Sequence, residues 1–328
     1  MVLDKLMFEN LKLVGVISRA EFILPNLGSL IMGLAWGVSK KTGFISLIIL
    51  LALSFTVINL SSAIGAQINT YSDHELDSKD ARKKRLVEAF NSFGSSKLKG
   101  LMVVEFLAAL VVVTLFTLAL EKPVLLFMWL IGISLGWAYS APPLRLKARS
   151  WLAPISLILV LAVFPVLFAY FAFASNVEPL FLLSLTGLAL TVYGVIIPTE
   201  IRDYFGDKEM NIETMTVRLG LLKASLLSIM LLSTGAIFTV SAFVLRFYYD
   251  QHPLLIIFLI PVLVAVLFVL GQFRKLHTLS REYAGSEENE SIRNEILHLS
   301  AQNPRWIMMV TQTYSLVSIV LLIAKFLL

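Results

Sequence analysis

An apolar run, FISLIILLALSFTVINLSSAIGAQI at residues 44–68, is followed directly by the polar stretch NTYSDHELD at residues 69–77. The apolar run is longer than the roughly 20 residues that a membrane-spanning helix needs. If the helix continues past the run, Asn69, Asp73 and Asp77 recur every four residues and share one face. The boundary therefore predicts a spanning helix whose end presents an amide and two carboxylates.

The rest of the chain repeats the apolar pattern. Of its 328 residues, 58% are hydrophobic and only 15% are charged, against about 25% charged in soluble proteins. Nine segments are long and apolar enough to be candidate spans. They lie near 18–38, 44–68, 99–120, 123–140, 150–174, 179–199, 219–246, 253–272 and 306–327. We therefore predict an all-α polytopic membrane protein with nine transmembrane helices.

The basic residues predict an orientation for these spans. Of the 27 Lys and Arg residues, 22 fall in the N-terminal segment and in the loops after the even-numbered spans. The positive-inside rule places that side in the cytoplasm, so the C-terminus is expected outside. Orientation and anionic lipid headgroups account for the basic surface, and no nucleic-acid partner is implied.

The side chains also limit the chemistry. The chain has no cysteine, which excludes disulfides, thiolate catalysis and cysteine zinc sites, and its four histidines form no metal-ligand pair. A bound metal should therefore be a hard cation held by carboxylate oxygens.

A second acidic pair follows the sixth candidate span. The stretch TEIRDYFGDKE, residues 199–209, places Asp203 and Asp207 four residues apart. Carboxylates with nothing between them are unfavourable near lipid. Mg²⁺ between the two pairs would relieve the repulsion, and Mg²⁺ commonly binds one or two carboxylates together with substrate phosphates. The two pairs therefore predict a magnesium site for a diphosphate.

Several basic residues are expected on the same side of the membrane as the two acidic pairs. Arg matches phosphate oxygens with a planar fork, and Lys offers a point charge. The candidates are Arg19 in the first apolar segment, Arg145, Lys147 and Arg149 after the fourth span, and Arg218 after the second acidic pair.

The last cytoplasmic loop, residues 273–305, has a second pattern. Ile292, Ile296 and Leu299 recur at helical spacing, and Ser286 or Asn289 can cap the helix. This stripe is expected either on the membrane surface or in a solvated linker.

Taken in order, these motifs resemble those of the UbiA superfamily of intramembrane prenyltransferases. The matching features are NxxxDxxxD after the second span, YSAPPLRLK at 139–147 after the fourth, DxxxD after the sixth, and VRLG at 217–220 entering the seventh. The resemblance covers nearly the whole chain. It implies one domain over residues 1–328, with the nine transmembrane helices in a bundle around a central cavity and with cytoplasmic cap loops. Two departures stand out: Pro143 occupies a position where many members have lysine, and the Asn-Arg-Pro-type run that several branches carry after the first motif is missing.

The resemblance implies an activity. Asp73, Asp77, Asp203 and Asp207 would be catalytic and would hold Mg²⁺, with Asn69 a further possible ligand. Arg19, Tyr139, Arg145, Lys147 and Arg218 would bind the diphosphate or the acceptor. The donor would be an isoprenyl diphosphate such as geranylgeranyl diphosphate, which transfers its prenyl group within the membrane to an aromatic or lipid-precursor acceptor and releases diphosphate.

Two other classes of protein, a transporter and a CDP-alcohol phosphotransferase, also use acidic residues in membranes. A transporter could use the acidic clusters as a cation site, but transporters commonly place such charges near the bilayer midplane, whereas these acids lie at span ends. A CDP-alcohol phosphotransferase would need its own aspartate signature, which this sequence lacks. An aromatic quinone precursor and a glycerol-ether lipid precursor both remain open as acceptors.

Overall fold

The computed structural model describes residues 2–39, 42–79, 83–210, 212–286 and 289–327, and within these ranges the regular secondary structure is entirely helical. Lys40 and Lys41, two of the five basic residues that the positive-inside argument leaves on the outer side, lie outside the described residues. The α-helices are α1 (Val2–Ile17), α2 (Ile23–Gly37), α3 (Phe44–Asp77), α4 (Lys84–Phe93), α5 (Ser95–Leu120), α6 (Pro123–Ser140), α7 (Leu152–Ile158), α8 (Phe164–Phe173), α9 (Pro179–Glu209), α10 (Met215–Leu219), α11 (Leu221–Tyr249), α12 (Ile260–Gly285), α13 (Glu290–Ser300) and α14 (Asn303–Leu327).

Eight helical segments in the described part of the chain are long and apolar enough to cross a membrane. They are Phe44–Asp77, Ser95–Leu120, Pro123–Ser140, Leu152–Phe173, Pro179–Glu209, Leu221–Tyr249, Pro253–Gly285 and Glu290–Phe326. A ninth, at 18–38, stays a prediction, because the helix there has only 15 residues and a length of about 22 Å. The chain breaks before it at Arg19, which has a left-handed backbone with φ 50°.

The chain forms two compact units. The first comprises Met1–Leu30 and Gly43–Leu146, and the second comprises Ile31–Thr42 and Lys147–Leu328. In the first unit, α3 packs against α5 and α6, and α1 packs against α4. Phe90 and Phe93 of α4 join Ile17 and Leu98 in a small apolar cluster, and His74 of α3 stacks on Phe90 with ring centroids 4.2 Å apart.

The second unit is built around the pair α9 and α11, which pack more extensively than any other two helices. Small residues allow the two backbones to approach closely: a Cβ atom added at Gly235 would lie 2.6 Å from the carbonyl oxygen of Gly187, and one added at Gly194 would lie 2.7 Å from the amide nitrogen of Leu232. This close approach holds α9, and with it the second acidic pair, against α11.

α9 contains a proline without losing its continuity. Pro198 has no N–H for the carbonyl four residues earlier, which belongs to Gly194. The hydroxyl of Ser228 on α11 donates to that carbonyl at 2.7 Å. The side-chain amide of Asn303 donates to the neighbouring Val195 carbonyl at 2.6 Å. In lipid such groups have no water to bind, so the neighbouring helices stabilise the helix that carries Asp203.

The stripe in the last loop is buried in the second unit's own core. Asn289 caps α13, and its Oδ1 accepts from the backbone N–H of Ser291 at 2.9 Å, as the sequence predicted. Ile296 and Leu299 are buried, and Ile292 packs beside them. Both expectations for this stripe, the membrane surface and a solvated linker, are therefore wrong. The helix α13 packs against α9 and α12, because an apolar face that finds a protein partner is removed from lipid and water alike.

Candidate functional site

The first candidate cluster lies at the end of α3, in the first unit. As predicted, the helix runs through the whole 69–77 stretch, so Asn69 and Asp73 share a face. The Asn69 amide donates to Asp73 Oδ2 at 3.1 Å and also to Ser140 Oγ at 3.1 Å. Arg19 donates to Asn69 Oδ1 at 3.2 Å, and Arg145 Nη2 donates to Asp73 Oδ1 at 3.1 Å. The structure thus joins four predicted residues in one hydrogen-bonded chain.

Both arginines of this cluster have unusual backbones. Arg19 has φ 50° and Arg145 has φ 40°, the left-handed region that residues other than glycine seldom occupy. Such conformations cost on the order of 1–3 kcal/mol each and concentrate at functional sites. The two guanidinium groups that contact the Asn69–Asp73 pair are therefore held there by the surrounding fold despite local backbone strain.

Asp77, one turn further along α3, is only 2% exposed. Lys83 Nζ donates to Asp77 Oδ1 in a short ion pair of 2.6 Å. The other carboxylate oxygen, Oδ2, is buried without a hydrogen-bond partner among the described residues. A buried carboxylate oxygen without a donor is unfavourable. The acidic end of α3 therefore fits a hard cation, because one oxygen of Asp77 has no hydrogen-bond donor among the described residues and the neighbouring Asp73 and Asn69 offer carboxylate and amide oxygens.

The second acidic pair lies near the end of α9, in the second unit. Asp203 and Asp207 are both partly exposed. Arg202 forms a bidentate interaction with the Asp203 carboxylate: Nε donates to Oδ1 at 3.1 Å and Nη2 donates to Oδ2 at 3.3 Å. Asp207 also has an interaction partner.

A partly buried carboxylate that the sequence reasoning missed, Glu200, lies one turn before this pair. Glu200 Oε2 accepts a hydrogen bond from the Thr216 hydroxyl at 2.7 Å. The bond fastens the short helix α10 beside the end of α9, and Arg218 lies on α10. The spacing could have identified Glu200 from the sequence. It precedes Asp203 by three residues and Asp207 by seven, and so lies on the same helix face.

The remaining predicted residues are less closely tied to the acids. Tyr139 lies at the end of α6 and is partly buried, and Lys147 lies in a single 3₁₀ turn, Leu146–Ala148; both have interaction partners. Arg149 is exposed and also has a partner. Arg218 is exposed and makes no ion pair within the described part of the chain. Lys83 and Ser140, which the sequence reasoning did not single out, contact the first acidic cluster directly.

No group of three or more Asp, Glu or His side chains among the described residues forms a ready metal-ion site. Arginine and lysine side chains contact the carboxylates of Asp73, Asp77 and Asp203. The assignment of these aspartates as metal ligands therefore stays a prediction, supported by the chemistry of the donor set.

The fold and its acidic helix ends define a class: a helical integral membrane protein with carboxylates and arginines clustered at the ends of spanning helices. A family model described as the UbiA prenyltransferase family matches residues 27–284. The chain belongs to that family. No curated protein sequence matches the chain.

Solved structures give the same fold at low sequence identity. A UbiA homologue from Archaeoglobus fulgidus bound to GPP and Mg²⁺ is 17% identical, with a TM-score of 0.58, over 92% of this chain and 99% of that one. A digeranylgeranylglyceryl phosphate synthase is 17% identical, with a TM-score of 0.61, over 95% and 99%. The apo UbiA homologue from Aeropyrum pernix K1 is 15% identical, with a TM-score of 0.57, over 88% and 97%. At these identities the likeness establishes the fold alone.

Proposed function

We propose that this protein transfers an isoprenyl group from a prenyl diphosphate to an aromatic or lipid-precursor acceptor within the membrane, releasing diphosphate. The observation that carries the proposal is the chain of contacts from Arg19 through Asn69 and Asp73 to Arg145, with the free oxygen of Asp77 beside it. It places carboxylates and guanidinium groups together at the end of a spanning helix. Carboxylates can hold a cation that binds diphosphate, and guanidinium groups bind phosphate oxygens directly.

In this proposal the four aspartates Asp73, Asp77, Asp203 and Asp207 hold Mg²⁺. Bound Mg²⁺ would supply neutralisation of the charge that develops on the departing diphosphate. Asn69 orients the Asp73 carboxylate, because its amide donates to Asp73 while its own oxygen is held by Arg19.

The arginines stabilise the leaving group in the same proposal. Arg19 and Arg145, together with Lys147 and Arg218, bind the diphosphate oxygens, and their charge favours the state in which the allylic C–O bond loosens. The acceptor then captures the allylic carbon, and the proton that the acceptor loses passes to a nearby base or to water. Tyr139, near the end of α6, is proposed to contact the diphosphate or the acceptor.

Membership in the UbiA family supports this reaction class, and the A. fulgidus homologue with GPP and Mg²⁺ supports the ligands. We further propose that the two units act as one catalytic domain over residues 1–328, that the chain spans the membrane nine times, and that the acidic helix ends face the cytoplasm. Geranylgeranyl diphosphate is the donor to be tested first.

The test uses the purified full-length protein in liposomes with geranylgeranyl diphosphate and Mg²⁺. The acceptors are 4-hydroxybenzoate, dihydroxynaphthoate and geranylgeranylglyceryl phosphate, and the products are read by mass spectrometry. A prenylated product from one acceptor, lost with EDTA and restored by Mg²⁺, is the expected result. Cation flux across the same liposomes without diphosphate release would instead establish a transporter.

Two variants test the residues. Asp73→Asn and Asp203→Asn should each lower transfer by a hundredfold or more, on the order of the loss of one preorganised electrostatic group, while still inserting in the membrane. Glu88→Gln is the matched control, because Glu88 is an exposed carboxylate whose only ion pair among the described residues is a long one, 3.8 Å, to Lys84. Near-normal transfer in either aspartate variant would refute the assigned roles.

A further inference from the structure

The second unit contains a cavity at the opposite end of α9 from Asp203 and Asp207. Its volume is about 490 Å³, and its lining includes Glu178, which immediately precedes α9. α9 has 31 residues, or about 46 Å at 1.5 Å per residue. The cavity is therefore separate from the second acidic pair by the length of a spanning helix.

A buried ammonium group lies at this cavity. Lys325 is only 8% exposed, and its Nζ donates to the carbonyl oxygens of Trp36 at 3.0 Å and Val38 at 2.9 Å. An ammonium has three N–H donors, so one remains after these two bonds. Lys325 makes no ion pair with a carboxylate among the described residues. The carboxylates of Glu178 and Asp250 line the same cavity and act on the Lys325 charge from a distance, without a direct ion pair among the described residues. A buried charge without a direct ion pair is unfavourable and in membrane proteins commonly marks a functional site.

Both acidic residues of the cavity are ion-paired with Arg246, which lines the same cavity. Arg246 donates from Nη1 to Glu178 Oε2 at 2.7 Å and from Nε to Asp250 Oδ2 at 2.8 Å. Its Nη2 carries no hydrogen bond to the described part of the chain. Arg246 carries one positive charge against these two carboxylates, so the four charged groups of the cavity, with Lys325, sum to zero. Its Nη2 offers a further donor in the cavity.

The indole of Trp36 adds a third donor. Trp36 lines the cavity and is 1% exposed, and its Nε1–H has no hydrogen-bond partner within the described residues. A buried indole N–H ordinarily finds an acceptor. The guanidinium of Arg246 lies 5.9 Å from the centre of the Trp36 ring. Tyr170 and Phe173 supply further aromatic wall.

We propose that this cavity binds an oxyanion, a phosphate or phosphodiester group, whose oxygens accept hydrogen bonds from Lys325, Trp36 Nε1 and Arg246. The aromatic wall suits an apolar neighbour of the anion, and the volume falls in the range of small-ligand pockets. The phosphate can come from an anionic phospholipid of the adjoining leaflet or from free phosphate in solution. This site is independent of prenyl transfer.

The competing explanation assigns Lys325 a purely structural role. Trp36 and Val38 lie at the end of α2, where helix carbonyls lack intrahelical partners, and a cation there is favourable. This explanation accounts for two of the lysine's donors. It leaves the third donor and the Trp36 indole unexplained, and these are the groups that the test addresses.

The experiment compares wild type with Lys325→Met and Trp36→Phe, and with Lys122→Met as a control outside the cavity. Native mass spectrometry counts the phosphatidylglycerol and phosphatidylcholine retained by each purified protein from mixed nanodiscs. In parallel, inorganic phosphate is titrated while the apparent melting temperature is followed.

The expected result is about a tenfold or greater loss of phosphate-group binding in Lys325→Met and Trp36→Phe, the loss that removal of one charge-assisted hydrogen bond produces. Lys122→Met should match wild type. Selective retention of phosphatidylglycerol identifies a lipid ligand, and a response to inorganic phosphate without lipid preference identifies a free oxyanion.

Trp36→Phe keeps the test decisive if Lys325→Met fails to fold. The indole N–H has no hydrogen-bond partner among the described residues, so its removal breaks no hydrogen bond within them. The smaller phenyl ring leaves a cavity at this buried position, so Trp36→Phe is expected to be less stable than wild type but folded, and its binding is compared with wild type on the folded protein. Equal retention of both lipids and no effect of phosphate on any variant would overturn the proposal and leave Lys325 as a cap of α2. Equal binding by wild type and Trp36→Phe would also overturn it.

Discussion

Replacing Lys83 with methionine should make the protein more dependent on Mg²⁺. Lys83 Nζ lies 2.6 Å from Asp77 Oδ1, and the other carboxylate oxygen has no partner among the described residues. A cation that binds Asp77 must therefore compete with the lysine. Lys83→Met removes the competitor and leaves a buried carboxylate without its counter-charge.

The size of the effect follows from the burial of the two partners. Breaking a fully buried ion pair by removing one partner costs about 3–5 kcal/mol, and an exposed pair contributes about 0–1 kcal/mol. Asp77 is 2% exposed and the Lys83 side chain is 43% exposed, so we expect an intermediate loss of about 1–3 kcal/mol without metal. At about 2 °C per kcal/mol for a large chain, the apparent melting temperature should fall by about 2–6 °C.

The assay is a thermal shift at one fixed heating rate, in EDTA and in Mg²⁺. Mg²⁺ binding to the folded state should stabilise Lys83→Met more than wild type, because no ammonium has to be displaced. Lys84→Met is the matched control, since Lys84 is exposed and its contact with Glu88 is 3.8 Å long. Adding Asp77→Asn to Lys83→Met should abolish the extra Mg²⁺ response. An equal Mg²⁺ shift in wild type and Lys83→Met would refute the reasoning.

Two further predictions concern the helix pair α9 and α11. Ser228→Ala should lower the free energy of unfolding by about 1–3 kcal/mol, because the Gly194 carbonyl loses its donor. Adding Pro198→Ala supplies a backbone N–H for that carbonyl and should recover part of the loss when the single and double variants are compared by thermal shift. Strictly additive losses would contradict this account. Gly235→Ala should reduce the yield of folded protein in size-exclusion chromatography, because its Cβ would lie 2.6 Å from backbone atoms. Gly136→Ala, where a Cβ meets nothing within 4 Å, should behave like wild type, and equal yields for the two alanine variants would contradict the prediction.

The sequence determined the features that depend on local spacing and composition. Apolar runs about 20 residues long predicted spanning helices, and eight such helices are present in the described residues. The spacing of Asn69 and Asp73 predicted a shared helix face, and the two side chains are hydrogen-bonded. The order of the motifs along the chain identified the family, which the match over residues 27–284 confirms.

The tertiary structure decided which groups meet across the chain, because contacts between distant residues leave no local pattern. Arg19 lies 50 residues from Asn69 and Arg145 lies 72 from Asp73, yet both contact the same pair. The left-handed backbone at Arg19 also breaks the chain near the start of the first predicted span, and the α-helix there begins only at Ile23. The burial of the stripe on α13 against α9 could not be predicted from the sequence either. Periodicity identifies an apolar helix face but does not say what packs against it.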